Sequence, residues 1–95
     1  MKVTVEFLSL PVITRIVGGK SVTLPFQGRN IDDLIAEIVK KYGEDVRRFL
    51  LDDSGKLDMT LKLLLNKKQW ITREQTDTPL KDGDIVTIMM LVGGG

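Results

Sequence analysis

A single amphipathic helix stands between segments that alternate polar and apolar residues, and this order constrains the fold more than any other feature. Over residues 31–42, apolar side chains recur at i, i+3, i+4, i+7, i+8 and i+11, which is one face of a helix. Asn30 is a favourable N-cap for this helix, and Gly43 suits the left-handed conformation that commonly ends one. The apolar face needs a second layer to cover it, and the alternating segments can supply a sheet.

Five segments have the composition and alternation of strands. They are residues 2–8, 20–26, 60–66, 70–72 and 85–92. Residues 44–51 are predicted as a short helical turn, and residues 9–19, which contain Pro11 and two consecutive glycines, are predicted as a loop. Without the brief edge strand at 70–72, the order is β-β-α-β-β, which predicts an α+β fold, with a mixed sheet of four to five strands and one main helix packed on one face.

The composition excludes several classes of function. The 95 residues suffice for one domain, which we place at 1–92, followed by a flexible glycine tail at 93–95. The chain contains no Cys and no His, which excludes disulfides, Cys/His zinc sites and catalysis by a thiolate or an imidazole. We therefore expect a carrier or binding protein with no metal site, not an enzyme. The net charge, 14 − 13 = +1, gives no field that would favour nucleic acid or a membrane surface.

The first residues do not resemble a targeting signal. A signal peptide needs a continuous apolar stretch, whereas the opening segment alternates and contains Glu6. The longest apolar run, residues 88–92, is far shorter than the roughly 20 residues that a membrane-spanning helix needs. We therefore expect a cytoplasmic protein.

The paired carboxylates and the single tryptophan can be explained without a catalytic, metal or nucleic-acid site. Asp32 and Asp33 suit the first turn of the helix, and Asp52 and Asp53 belong to a turn. Trp70 has no aromatic neighbours with which to stack a base, and we expect it to be partly buried.

The glycine triplet at 93–95 follows an apolar strand with no linker. Beyond the strand, three residues give the terminal carboxylate a reach of about 10–12 Å. A carboxylate without neighbouring side chains could enter a narrow active site, be activated by ATP to an acyl-adenylate and then be attacked by a nucleophile. Taken alone, the triplet is equally compatible with a tail that has no function.

The order of elements, the sequence Leu80-Lys81-Asp82-Gly83-Asp84, the apolar strand after it and the terminal Gly94-Gly95 resemble the ubiquitin-like β-grasp sulfur carriers. Within that family, the pattern is most similar to the small subunit of molybdopterin synthase, and the thiamine-pathway sulfur carrier is a shorter relative. The chain departs from the family in two places. Gly93 replaces a residue that has a side chain, and residues 9–19 form a long connection rich in Val and Ile.

The resemblance implies a reaction cycle and two partners. An adenylating enzyme of the ubiquitin-activating type would use ATP to adenylate the Gly95 carboxylate, and a sulfur donor would convert it to a thiocarboxylate. The tail, with Gly94 beside the reacting group, would then enter a sulfur-accepting synthase such as the large subunit of molybdopterin synthase. No cofactor would stay bound to the carrier itself.

Four apolar residues are expected to face this partner: Leu8, Leu64, Met89 and Leu91. The strand parity puts all four opposite the core, and the resemblance assigns that side of the sheet, together with Gly93, to partner binding. A contiguous exposed apolar patch marks an interaction surface, unless a loop covers it.

Three functions are compatible with these features. The first is a sulfur carrier for molybdopterin synthesis, or else for thiamine or sulfur amino-acid synthesis. The second is a protein modifier that forms isopeptide bonds through Gly95, which would begin with the same adenylation. The third is an interaction domain with an incidental glycine tail, which would bind its partner equally well without Gly94 and Gly95.

Overall fold

Five strands form one mixed sheet in the computed structural model, which describes residues 1–90. In chain order the elements are β1 (Lys2–Leu8), α1 (Pro11–Val17), β2 (Ser21–Pro25), α2 (Ile31–Tyr42), α3 (Glu44–Leu50), β3 (Leu61–Leu65), β4 (Gln69–Ile71), a 3-10 helix (Arg73–Gln75) and β5 (Ile85–Met90). The strand order is β2-β1-β5-β3-β4, with β1 and β5 parallel and the other neighbours antiparallel. The expected α+β fold with a mixed sheet is confirmed.

Helix α2 has the predicted bounds because both ends are specified locally. The Asn30 side chain accepts a hydrogen bond of 2.9 Å from the Asp33 amide. At the other end, Gly43 has a φ of 93°, a conformation that favours glycine. Acidic residues occupy the first turn and lysines the last, which complements the helix dipole.

The connection at residues 9–19, predicted as a loop, instead contains helix α1, and that prediction is wrong. Pro11 lies in the first turn, where its missing N–H costs no hydrogen bond, and Gly18 ends the helix with a φ of 92°. The two residues that indicated a break therefore mark the helix boundaries. Only Ile13 is buried within this seven-residue helix, so its apolar periodicity is too short to recognise.

The core lies between one face of the sheet and the helices. Register pairs Val5 with Val86 and Phe7 with Ile88, and the β3 residue Leu63 lies opposite Ile88 on the other side. All five side chains are buried. The apolar face of α2 completes the core, with Ile31, Leu34, Ile35 and Ile38 buried. The opposite face of the sheet has no helix over it within the described residues, and we call it the open face.

Alternation along β5 provides a stability test. Ile88 is fully buried, whereas Met89 points to the open face. Ile88→Asp should cost several kcal/mol, enough to unfold a domain of this size, because an unpaired carboxylate would be buried. Met89→Asp should change the free energy of unfolding by no more than about 1 kcal/mol, since a surface position tolerates a charge. Urea unfolding of both variants measures this, and equal losses would show that the two faces are wrongly assigned.

Candidate functional site

The turn before β5 is bonded to the start of β1. The Asp82 carboxylate accepts a hydrogen bond of 2.7 Å from the Lys2 amide, and the Gly83 amide donates to the Lys2 carbonyl at 2.8 Å. Gly83 has a φ of 85°, which favours glycine at this position. The Asp-Gly-Asp sequence therefore sets the parallel register of β5 against β1.

A second set of bonds ties β5 to the hairpin between β3 and β4. The Asn66 side-chain nitrogen donates to Asp84 Oδ1 at 3.0 Å, and the Asn66 side-chain oxygen accepts from the Ile85 backbone amide at 2.8 Å. The other Asp84 oxygen accepts from the Lys81 amide at 2.7 Å. Strand β5 is thus anchored on both sides at its start, and its carboxyl end at Met90 leads into residues 91–95.

Apolar side chains form a diagonal band across the open face. Leu8 lies opposite Met89, and Leu64 lies opposite Trp70. Met89 and Leu64 are diagonal neighbours, since Met89 pairs with Lys62 and Leu64 pairs with Thr87. Directly opposite side chains are about 5 Å apart and diagonal ones about 7–8 Å, so these four residues form a continuous surface, the open-face band. Leu8 is 45% and Trp70 57% exposed, and the other two are partly buried.

Three of the predicted partner-facing residues, Leu8, Leu64 and Met89, come together in this band. Their role in partner binding stays a prediction. The remaining predicted site residues, Leu91, Gly93, Gly94 and Gly95, lie outside the described residues.

Trp70 is the member of the band that sequence reasoning missed; it was expected to be partly buried, and it is 57% exposed. The signal was present in the neighbouring residue. Ile71 is buried opposite Leu63, so the alternation along β4 turns Trp70 to the open face.

A polar contact lies beside the band. The Thr87 hydroxyl donates to Glu6 Oε1 at 3.0 Å, and Lys67 Nζ lies 3.7 Å from Glu6 Oε2. This ion pair spans β5 on the open face, and Thr87 is only 2% exposed although its position faces outward. Glu6 is the single carboxylate among the strand residues of this face, where Lys2 and Lys62 add positive charge. The face therefore favours a partner surface that is apolar at its centre and carries carboxylates.

One end of the band borders a groove with a volume of about 500 Å³. It is lined by Asp58, Met59, Leu61, Lys62, Trp70, Ile71, Thr72, Arg73 and Glu74. Arg73 is held in place, because its Nε donates to the Leu57 carbonyl at 2.7 Å and its guanidinium pairs with the Asp52 carboxylate.

Hydrogen bonds lower the pKa of two carboxyl groups near this groove. The Ser54 hydroxyl, then the Lys56 and Ser54 amides and the Arg73 charge, lower the pKa of Asp52 to about 2. The Thr60 hydroxyl and amide lower the pKa of Asp58 in the same way. Both carboxylates are therefore ionised near neutral pH and accept hydrogen bonds from neighbouring residues of the same chain. We call Asp52 and Asp58 with these bonds the clamp, because they hold the loop before β3 in place.

Within residues 1–90, the structure shows no cluster of three or more potential metal-ligating side chains. No helix in the same part of the chain is long and apolar enough to cross a membrane. What the described surface offers is an exposed apolar band that includes Met89 of β5 and its neighbours on the adjacent strands.

The ThiS family model matches residues 12–95, which include the turn before β5, β5 itself and the terminal glycines. The chain belongs to the ThiS family. The expected resemblance to the β-grasp carriers is thereby confirmed at the level of the family. A search of curated proteins found no matching sequence for this ThiS-family chain.

Solved structures with the same fold are similar over nearly the whole ThiS-family chain. Small archaeal modifier protein 1 from Haloferax volcanii has a TM-score of 0.77 at 14% identity, covering 96% of this chain and 98% of that one. A chain in the BexX/CysO complex of Amycolatopsis orientalis has a TM-score of 0.73 at 26% identity, with coverages of 98% and 99%. A Pyrococcus furiosus protein described as molybdopterin converting factor subunit 1 has 0.69 at 21%, with 97% and 99%. The fold is the ubiquitin-like β-grasp.

The pKa of Asp52 predicts an acid-dependent loss of stability. A carboxyl group whose pKa is lower in the folded state stabilises the fold above its ordinary pKa, and this contribution disappears as the pH falls through the folded value. The wild-type chain should therefore lose stability as the pH falls from about 3.8 towards about 2. Asp52→Asn should show a smaller loss over the same interval, and Asp53→Asn, at an exposed neighbour, should follow the wild type. Urea midpoints measured at each pH would contradict the clamp if Asp52→Asn also followed the wild type.

Proposed function

We propose that this chain is a sulfur carrier whose C-terminal Gly95 carboxylate is adenylated, converted to a thiocarboxylate and used as a sulfur donor. The observation that carries the proposal is the family match through the terminal glycines, on a chain whose β5 is anchored at its start and ends at Met90, five residues before the terminus. Every catalytic group is left to partner enzymes, which agrees with a sequence that has no Cys and no His.

The chemistry needs only a carboxylate from the carrier. An oxygen of the Gly95 carboxylate attacks the α-phosphorus of ATP, a P–O bond breaks and pyrophosphate leaves. Hydrosulfide, or a donor equivalent to it, then attacks the acyl carbon, AMP leaves, and one proton is released as the thiocarboxylate forms. A glycine terminus suits both steps, because no side chain obstructs the approach to the carboxyl carbon.

Docking to partner enzymes is assigned to the open-face band. An adenylating enzyme and a sulfur acceptor both have to receive the tail, and the band is the exposed apolar surface beside the strand that leads into it. The positive charge of Lys62, which lies opposite Met89, favours partner surfaces with carboxylates. Leu91 and Gly93 are proposed to continue this contact towards the active site.

Molybdopterin synthesis is the pathway we propose within this class, with the large synthase subunit as sulfur acceptor. It is supported by the sequence from Leu80 to Asp84 and by the similarity to the Pyrococcus furiosus protein described as a molybdopterin converting factor subunit. A second candidate is a protein modifier, which the similarity to small archaeal modifier protein 1 favours. Both activities begin with adenylation in the cytoplasm and use ATP on the partner enzyme.

The decisive assay is pyrophosphate exchange with ATP and a ubiquitin-activating-type enzyme. Deleting Gly95 shortens the tail by about 3.3–3.6 Å, several times a misplacement that costs about a hundredfold in rate. The deletion should therefore lower exchange at least a hundredfold, and Gly94→Val should lower it by hindering entry. Gly19→Ala is the matched control, because a Cβ there would have ordinary room, 3.8 Å from the Ser21 carbonyl oxygen. Exchange at the wild-type rate by the truncated chain would disprove the proposal.

Intact mass spectrometry separates the two candidates after adenylation. A carrier supplied with a sulfur donor should gain the mass of one oxygen-to-sulfur exchange, with no addition to other proteins. A ladder of conjugates that disappears when Gly95 is deleted would instead support the modifier. Binding that is unchanged by the loss of Gly94 and Gly95, with no adenylation, would identify an interaction domain.

A further inference from the structure

The two most exposed large apolar side chains of residues 1–90 border the same groove. Met59 is 74% and Trp70 57% exposed, and both line the cavity of about 500 Å³ at the β4 edge of the sheet. Exposing a tryptophan and a methionine side by side leaves unfavourable apolar area in water. Trp is also among the residues that contribute most to binding energy at protein interfaces. The pair therefore indicates an anchoring point for a partner.

Two charged side chains in the lining of the groove are held by other groups of the chain. Arg73 forms part of the lining and is bonded to both the Leu57 carbonyl and the Asp52 carboxylate. Asp58, also in the lining, accepts hydrogen bonds from the Thr60 amide at 2.9 Å and its hydroxyl at 2.6 Å. Two of the four charged groups of the lining are thus already satisfied within the chain, and a preformed groove costs little entropy to fill.

The position of the groove identifies what covers it. Strand β4 is two strands away from β5, so Trp70 lies about 10 Å to the side of the strand that leads into the tail. A standard interface buries about 800 Å² on each partner, which corresponds to a disc with a radius of about 16 Å. A partner centred on the carboxyl end of β5 therefore extends over Trp70, which belongs to both the open-face band and the groove.

We propose that this groove receives an apolar side chain of the adenylating enzyme that docks on the open-face band, and this inference rests on the proposed function. The occupant is apolar, because Met59 and Trp70 are the most exposed apolar side chains of the lining. A carboxylate beside it meets Lys62, which lines the groove and lies opposite Met89 in the sheet. The groove is then a second anchor, separate from the site that takes the tail.

Four methionines and one tryptophan allow a direct test by NMR. The chain is labelled with ¹³C-methyl methionine and 5-fluorotryptophan and titrated with the adenylating enzyme found by pyrophosphate exchange. We expect the fluorine signal of Trp70 and the methyl signals of Met59 and Met89 to shift together. The methyl signal of Met1, which precedes β1 at the opposite end of the sheet from Met89, should not shift.

Substitutions measure how much the groove contributes. Trp70→Ala should weaken binding of the enzyme by at least tenfold and Met59→Ala by about threefold, as expected for an anchor and a neighbouring contact. Trp70→Phe should recover most of the affinity, because an apolar ring remains. Phe49→Ala is the matched control and should stay within twofold, since Phe49 is 42% exposed but belongs to α3 on the helical side of the sheet. Thermal unfolding of each variant separates lost binding from lost folding.

The outcomes distinguish this inference from the proposed function. If Met89 shifts and pyrophosphate exchange proceeds while Trp70 and Met59 stay unchanged, the groove is not an anchor and the carrier function stands. If no such enzyme adenylates the chain, both proposals fail. If the Trp70 signal moves with the concentration of the chain alone and the chain dimerises, a second copy occupies the groove and the inference is overturned.

Discussion

The parallel pairing of β1 with β5 is the contact on which the rest of the structure depends. It joins β1 to β5, with Val5 opposite Val86 and Phe7 opposite Ile88. The hydrogen bond from the Lys2 amide to the Asp82 carboxylate stabilises the pairing at its start. Because β3 pairs with the other side of β5, the last strand becomes the centre of the sheet instead of an edge. The strand that precedes the C-terminal residues is therefore hydrogen-bonded on both sides.

The two faces of the sheet differ in burial and composition. Buried residues from every strand face the helices, so stability depends on one side of the sheet. The open face needs no contribution to the core and can carry an apolar band, a single partnered carboxylate at Glu6 and positively charged lysines. Core and open-face positions thus alternate along the same strands, which is why Ile88 and Met89 are adjacent in sequence but differ in burial.

The loop between α3 and β3 shows how a polar cluster can serve an apolar surface. Asp52 collects hydrogen bonds from Ser54 and Lys56 and an ion pair from Arg73, and Arg73 in turn holds the Leu57 carbonyl. These bonds fix the position of Arg73 in the lining of the groove that Met59 and Trp70 also border. An apolar anchor from a partner would then gain contact area at small entropic cost.

Much of this fold could be predicted from the sequence, because helix α2 carries its own cap, apolar stripe and stop, and because strand alternation is a local property. The same alternation placed Leu8, Leu64 and Met89 away from the core, and the residues from Leu80 to Asp84 with the terminal glycines indicated the family. Helix α1 was missed, since a seven-residue helix with one buried side chain has too little periodicity, and Trp70 was not assigned to the open face, since a strand of three residues shows little alternation. Strand order, the contact between Glu6 and Lys67 across β5, and the groove beside Trp70 join residues far apart in the chain. The sequence by itself determined most of the elements and the family, because caps, apolar periodicity and strand alternation are local properties, whereas only the tertiary structure decided which exposed side chains share a surface, because that depends on long-range packing.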